Sequence, residues 1–293
     1  MKPFRLPDVL RALRHFDRML PTDDDLEGIV SRRGRGAMLF DFYSTEDVAD
    51  ALERYGVAPV LRARGFSEIA PVLETVDPER QIVRVSAARD GRRKLLGEAI
   101  LRDDEYATDT PFSGSLRGRR LHLLVVQWIR LQDPTRPFTP ERPALPGQDH
   151  PGLGVGRQVM DMLLGLSARR GLAGIMVCPE FVHNAVIYSS QFRFFDPAAQ
   201  GRFEALISSL EGLTLAEIAW GVETGCVTDS GKPFSWFHEE MIRPTGDLVT
   251  AHLESPAYAD AARKERESHS YRFDMDLFRS MDPLLPDGSP RRK

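Results

Sequence analysis

The stretch His150-Pro-Gly-Leu-Gly-Val-Gly-Arg157 places glycine at three alternate positions directly before a helical pattern. In that pattern Val159, Met160 and Leu163 recur at the spacing of one helix face. Glycine leaves neighbouring backbone amides open to a ligand because it has no Cβ, and the first turn of a helix carries amides without an internal partner. The stretch therefore predicts a phosphate-binding turn, with Arg157 as an additional side-chain contact.

Glycine-rich turns before a helix also occur in two classes of nucleotide-binding protein. A dinucleotide-binding turn follows a strand directly, whereas here residues 133–149, with five prolines, come first. A nucleoside triphosphate site requires Lys-Ser/Thr after the last glycine, and Arg157 stands there instead. Both nucleotide classes are disfavoured, and a turn that only connects two elements remains the alternative to a phosphate site.

The segments around the turn predict alternating strands and helices. Residues 121–131 are too apolar for an edge strand, so they are expected to form the central strand of a sheet. Residues 172–178 form a short buried strand and residues 192–196 return to the sheet, with a helix over 181–191 between them. Further helices are predicted over residues 202–210 and 258–271.

The N-terminal third predicts further elements. Ser44 has the features of a helix N-cap, with acidic residues in the following turn and Gly56 at the helix end. Asp90-Gly91 predicts a tight turn between two strands. The predicted segments are an amphipathic helix over residues 7–20, a strand over 36–43, the helix over 44–56, a short helix over 67–75, and strands over 81–86 and 94–101.

This order predicts an α/β fold in which a central mixed sheet carries helices on both faces, with helical extensions at both ends. Consecutive strands imply hairpins, and the later strand-helix-strand unit implies parallel pairing. The expected organisation is an N-terminal extension over 1–36, a ligand-binding domain over 37–211 and a C-terminal extension over 212–293. The last extension could complete the sheet, cover the substrate side or form an interface, and the sequence leaves these roles open.

Composition narrows the class of protein. The net charge of −4 gives no electrostatic reason to expect nucleic-acid binding. The two cysteines, Cys178 and Cys226, form no metal-binding pattern, and no metal is expected. No apolar run approaches the roughly 20 residues that span a bilayer, and no signal-peptide core is present. A cytoplasmic protein without a membrane partner is expected, and a homodimer is left open.

The predicted central strand, the glycine turn and the segment His183-Asn-Ala-Val-Ile-Tyr188 together resemble the GNAT superfamily of acyl-CoA N-acyltransferases, over roughly residues 37–196. In that family the turn amides hold the pyrophosphate of coenzyme A, and the pantetheine arm lies between the central strand and the next strand, which splays away. A tyrosine on the following short helix protonates the leaving thiolate. The resemblance implies acetyl-CoA or coenzyme A as co-substrate.

The resemblance assigns roles to individual residues. Tyr188 takes the place of the thiolate-protonating tyrosine, and Asn184 that of a contact to the pantetheine arm or to the backbone. The coenzyme-binding residues that it implies are Trp128, Ile129 and Leu131 in the central strand, Gly152, Leu153, Gly154, Val155, Gly156 and Arg157 in the turn, and Asn184.

Three departures from the family pattern are visible. Pro151 stands where the turn usually has Gln or Arg, the usual Gly-Phe after the tyrosine is replaced within residues 189–194, and residues 121–131 contain no carboxylate. A base is still needed, because an ammonium group must lose a proton before it attacks a thioester. The candidates are Glu98 and His122, and, just beyond the splayed strand, Glu180 and His183.

The expected activity is acyl transfer, most simply of acetyl from acetyl-CoA to a primary amine on a small molecule or peptide. Two alternatives stay open. The missing carboxylate and altered turn could mark a binding module without catalysis. The flanking helices and the long loop over residues 134–146 could instead shape a docking surface for an acyl-carrier protein as the acyl donor.

Overall fold

The computed structural model describes residues 38–75, 80–108 and 116–284, together with Gly288 and Arg291. The helix predicted over residues 7–20 and the whole extension over 1–36 lie outside this part of the chain. Within it, no helix is both long enough and apolar enough to cross a membrane.

The described residues form nine helices and ten strands in two sheets. Their bounds, in chain order, are α1 Thr45–Arg54, α2 Val57–Ala63, β1 Ser67–Thr75, β2 Arg80–Arg89, β3 Arg92–Ala107, β4 Arg120–Leu131, α3 Gly156–Arg169, β5 Gly174–Val177, α4 Val182–Tyr188, β6 Arg193–Phe194, α5 Pro197–Ser209, α6 Leu215–Glu223, β7 Val227–Asp229, β8 Lys232–Pro233, β9 Met241–Pro244, α7 Asp247–Leu253, α8 Pro256–Ser268, β10 Tyr271–Phe273 and α9 Met275–Met281.

The larger sheet has seven strands in the order β1-β2-β3-β4-β5-β9-β6. Strands β4 and β5 are parallel, and the other neighbours are antiparallel. Both faces are covered, because Ile175 and Val177 of β5 pack in one apolar cluster and Met176, between them, packs in another. The predicted mixed sheet with flanking helices is confirmed, and the segment over 121–131 is its central strand.

Local signals placed several elements correctly. Ser44 caps α1 through a capping box, in which its Oγ accepts from the Asp47 amide at 3.1 Å and its own amide donates to Asp47 Oδ2 at 2.8 Å. Gly56 follows the helix with φ of +80°. Asp90 and Gly91 join β2 to β3 with φ of +52° and +73°, the left-handed pair that a tight hairpin turn requires.

Two predicted elements are wrong. The strand expected over residues 36–43 is, in its described part, a turn: Leu39 and Tyr43 form an isolated bridge, and Phe40 and Asp41 have positive φ. Leu39 and Phe40 are buried in the core, so the apolar run reflects burial without a strand. The helix expected over residues 67–75 is the strand β1, and the second helix is instead α2.

Pro71 disfavours a helix over residues 67–75 and is compatible with an edge strand. This proline lies in the middle of the segment, where a helix would lose a hydrogen bond and meet a steric clash. Among the described strands, β1 stands at one edge of the sheet and pairs only with β2. An edge strand tolerates proline because its outer groups have no ladder to complete.

The C-terminal segment contributes to the main sheet. Strand β9 lies between β5 and β6 and pairs antiparallel with both, so residues beyond 211 form part of the sheet interior. The helices expected over residues 202–210 and 258–271 are present as α5 and α8. The same C-terminal segment also forms a separate three-stranded sheet in the order β10-β7-β8. Strand β10 follows α8 directly in the chain.

His269 links the small sheet to α8 through two carboxylates. Its Nδ1 lies 2.5 Å from Asp229 Oδ2 and its Nε2 lies 3.2 Å from Glu265 Oε1. Burial lowers the pKa of His269, but the hydrogen bonds to Asp229 and Glu265 outweigh it and the pKa is raised. Because the folded state holds the proton more tightly, this contribution is complete below about pH 6.5 and is lost as pH rises through the raised pKa.

We therefore expect His269→Gln to lower the free energy of unfolding by about 1.5 kcal/mol at pH 6, and by less as pH rises. Urea unfolding from pH 5.5 to 9 measures this difference. His122→Gln is the control, because His122 is 64% exposed and its contact with Glu105 is expected to contribute little. A loss of stability at His269 that does not vary with pH would contradict the assignment.

Candidate functional site

Strands β4 and β5 separate after a short parallel pairing. The register runs from Leu123 opposite Gly174 to Val126 opposite Val177, and it ends there, although β4 continues to Leu131. Past Val126, the edge of β4 that faces β5 has no strand partner among the described residues. A cleft therefore opens between the carboxyl ends of the two strands.

A bulge in β4 coincides with the point of separation. Ile100 of β3 pairs with Trp128 and Leu101 pairs with Val126, so Gln127 is an extra residue without a partner on β3. A bulge of this kind bends its strand and frees one residue from the ladder. The bulge accounts physically for the change in direction of β4 at the cleft.

The cleft encloses about 60 Å³ and brings together residues from β4, β5 and α4. Five of the predicted site residues lie there: Trp128, Ile129, Glu180, Asn184 and Tyr188. The full lining is Val126, Gln127, Trp128, Ile129, Val177, Cys178, Pro179, Glu180, Asn184 and Tyr188. The Tyr188 ring packs against Phe192, with 5.6 Å between ring centroids.

The glycine turn lies directly against the end of β4. Gln132 and Gly152 form an antiparallel bridge, and the Leu153 amide donates to the Leu131 carbonyl at 3.2 Å. The Asp133 amide donates to the Pro151 carbonyl at 2.8 Å. The proline-rich loop thus leaves the strand and returns to the same place. The strand and the turn are therefore neighbours in space, although about twenty residues separate them in sequence.

Alternate residues of the turn, Leu153 and Val155, anchor it in the core. The side chains of Leu153 and Val155 are buried, and Gly154 between them has φ of +64°, a conformation that favours glycine. Helix α3 then begins at Gly156, and its N-cap residue, Val155, makes no side-chain hydrogen bond to the first amides. The amide of Leu153 already donates to Leu131, so the predicted phosphate contacts reduce to the amides that follow it.

Two arginines lie at the turn. Arg157 is 78% exposed, and its Nε lies 4.0 Å from Asp161 Oδ2. Arg64, which the sequence did not indicate, donates from its guanidinium to the Leu153 carbonyl. A second opening joins the turn to the cleft and is lined by Ile129, Leu131, Gly156, Arg157, Met160, Ile187, Tyr188, Ser190, Gln191 and Phe192.

Two of the predicted base candidates lie elsewhere in the sheet. Glu98 is buried on β3 and accepts from Arg84 Nε at 2.6 Å, so its carboxylate serves an ion pair. His122 lies near the start of β4, six residues before Trp128, which corresponds to about 20 Å along a strand. It pairs with Glu105 at 3.4 Å. Neither residue lines the cleft.

The two later candidates differ from each other. His183 is buried, and its ring stacks on Phe181 with 5.6 Å between centroids. Glu180 is exposed and lines the cleft together with Tyr188. Of the four residues that the sequence proposed as bases, Glu180 alone borders the cleft.

The segment before β9 adds an acidic pair that the sequence did not indicate. Val177 pairs with Met241, so Glu240 comes next to Cys178 where the strands end. Burial raises the pKa of Glu239, and the Glu240 carboxylate raises it further. The Trp236 indole donates to the Pro179 carbonyl at 2.9 Å and fixes this segment at the cleft. Only the pairing of β9 with β5 brings the pair there, and no local pattern reveals it.

The two cysteines form no disulfide. Cys178 and Cys226 are both free thiols. Cys178 is exposed at the surface, but partial burial of its thiol raises the pKa, and Glu240 and Glu239 add to the effect. Among the residues with described positions, no three His, Cys, Asp or Glu side chains gather in a group that could hold a metal ion.

A comparison of the sequence with protein-family models gives no match, and a search of curated proteins finds no relative with significant similarity. The geometry of the cleft and the turn therefore carries the functional inference.

Proposed function

We propose that this chain is an acyl-CoA-dependent N-acyltransferase, which most simply transfers acetyl from acetyl-CoA to a primary amine. The observation that carries the proposal is the separation of β4 and β5 beside a glycine turn that contacts the end of β4, with Tyr188 in the cleft between. The same combination of strand, turn, splayed strand and tyrosine underlies the resemblance to the GNAT superfamily.

The donor would lie along β4 with its pyrophosphate at the turn. Amides from Gly154 to Arg157 offer donors at the start of a 14-residue helix, where the helix dipole favours an anion. Arg64 and Arg157 add positive charge. The edge of β4 from Gln127 to Arg130, which has no partner on β5, offers amides and carbonyls to the pantetheine arm.

The reaction would be a direct attack. Glu180 accepts a proton from the ammonium group, and the neutral amine attacks the thioester carbonyl carbon to form a C–N bond. Backbone amides of β4 stabilise the negative charge on the carbonyl oxygen. The C–S bond then breaks, and the Tyr188 hydroxyl protonates the departing thiolate. The attacking nitrogen gives its remaining extra proton to the tyrosinate, which leaves the neutral amide and restores the hydroxyl.

Direct attack is favoured over a cysteine acyl-enzyme. Cys178 lines the cleft, but partial burial and the carboxylates of Glu240 and Glu239 raise the pKa of its thiol, which lowers the fraction present as thiolate. Only the thiolate is an effective nucleophile. Because these two carboxylates act on Cys178 in the cleft wall, they also favour a cationic acceptor nearby, which agrees with an amine substrate.

Ligand-induced stabilisation tests the donor. Coenzyme A or acetyl-CoA at about 100 times its Kd is expected to stabilise the fold by about 2.7 kcal/mol, which corresponds to an increase in Tm of roughly 5 °C. Pantetheine, which lacks the pyrophosphate, is the control and should give a much smaller shift. Thermal unfolding with and without each compound measures the effect.

Three outcomes would contradict the proposal. If millimolar coenzyme A and acetyl-CoA do not shift the Tm, acetyl-CoA is not the donor. Binding without release of thiol over a broad panel of amines would leave a ligand-binding module without catalysis. Acyl transfer from acyl-carrier protein but not from acyl-CoA would assign a different donor.

A further inference from the structure

The proline-rich loop encloses a chamber beside the glycine turn. The chamber has a volume of about 970 Å³, which lies within the range of small-molecule sites. Pro151 and Gly152 form part of its wall, so the chamber adjoins the turn directly. The loop contributes Arg136, Phe138, Glu141 and Arg142 to the lining, and helix α4 contributes Ile187.

The loop is fixed to the rest of the fold at several points. The Trp220 indole of α6 donates to the Ala144 carbonyl at 2.8 Å. At the start of the loop, the fully buried Asp133 accepts from the Thr135 amide and hydroxyl, and Arg89 of β2 donates to the same hydroxyl at 2.6 Å. These contacts hold the chamber in shape before any ligand enters, which lowers the entropic cost of binding.

The charge of the chamber is suited to an anion. Arg136 and Arg142 are exposed and line it, and neither guanidinium makes an ion pair or side-chain hydrogen bond with the described residues. Glu141 is the acidic residue of the lining, so the lining carries a net charge of one positive unit. Phe138 is half-buried in the same wall and offers a ring to a flat base.

The openings along β4 follow one another in a fixed order. Ile129 and Tyr188 border both the cleft and the opening at the turn, and Ile187 borders both that opening and the chamber. Coenzyme A has its parts in the corresponding order: thiol, pantetheine, pyrophosphate and 3′-phosphoadenosine. With the thioester in the cleft and the pyrophosphate at the turn, the nucleoside end reaches the chamber.

We infer that the chamber binds the 3′-phosphoadenosine end of coenzyme A, an inference that rests on the proposed function. Arg136 and Arg142 pair with the 3′-phosphate, and Phe138 stacks on the adenine. The loop of residues 133–150 thereby makes the enzyme selective for coenzyme A over carriers that end at the pyrophosphate or the phosphopantetheine. The site uses side chains of the loop itself, in addition to the backbone amides of the turn.

Binding of coenzyme A and of dephospho-coenzyme A, which lacks only the 3′-phosphate, tests the inference by calorimetry. The wild-type protein should bind coenzyme A about 30-fold more tightly, because two charge-assisted contacts are lost with that phosphate. The double variant Arg136→Ala/Arg142→Ala should bind the two compounds equally, with its affinity for dephospho-coenzyme A within about twofold of wild type. Phe138→Ala should weaken both compounds alike.

Arg263→Ala is the matched control, because Arg263 lies on the exposed face of α8 in an ion pair with Asp260 and should leave the ratio of affinities unchanged. Unfolding curves establish that each variant is folded. Equal affinities in the wild type, or an unchanged ratio in the double variant, would overturn the chamber site while binding of coenzyme A upholds the proposed function. If neither compound binds the wild type, the chamber site and the proposed function are both overturned.

Discussion

Tyr188→Phe is expected to lower kcat about 100-fold while the Kd for acetyl-CoA stays within about twofold of wild type. The ring packs against Phe192 and borders both the cleft and the opening at the turn. Phenylalanine retains this packing and removes only the hydroxyl. The loss therefore falls on protonation of the thiolate, a step that occurs after the donor has bound.

The leaving group distinguishes this role from a structural one. An acetyl donor with a less basic thiol needs less help from an acid, so the defect of Tyr188→Phe should shrink with that donor. Tyr55→Phe is the control, because the Tyr55 hydroxyl bonds to Arg169 outside the cleft. An equal defect for both donors, or a rise in Kd that matches the fall in kcat/KM, would assign Tyr188 to binding or packing instead.

The elements that the sequence predicted well are those with local causes. A capping box at Ser44, left-handed residues at Asp90-Gly91 and the long apolar run of β4 each depend on a few neighbouring residues. The strand predicted near Leu39 failed because distant contacts decide the outcome, whereas Pro71 is a local signal against the helix predicted around it. An apolar run near Leu39 is buried without forming a strand, and the segment around Pro71 becomes a strand because β2 pairs with it.

The candidate site also contains residues that local patterns identify and contacts that only the folded chain creates. The residues of the turn, the tyrosine and the asparagine are adjacent in sequence to patterns that identify them, and the structure brings Asn184 and Tyr188 together with Trp128. The bridge between Gln132 and Gly152 closes a loop of nearly twenty residues, which no local propensity predicts. The acidic residues before β9 reach the cleft only because β9 pairs with β5.

Glu180→Gln is expected to lower kcat about 100-fold with an alkylamine acceptor, since the ammonium form must be deprotonated before it attacks. Glu180 borders the cleft with Tyr188, whereas Glu98 is engaged by Arg84 and His122 lies near the far end of β4. Glutamine preserves the size and polarity of the side chain. The Kd for acetyl-CoA should therefore remain unchanged.

The basicity of the acceptor separates a base from a residue that only shapes the cleft. An amine that is already neutral at the assay pH needs no deprotonation, so the Glu180→Gln defect should fall to a few-fold with such an acceptor. His122→Gln should have no effect with either acceptor. If Glu180→Gln impairs both acceptors equally, Glu180 is not the base, and Glu239 and Glu240 become the next carboxylates to replace. Both carboxylates act electrostatically on Cys178, which lines the cleft.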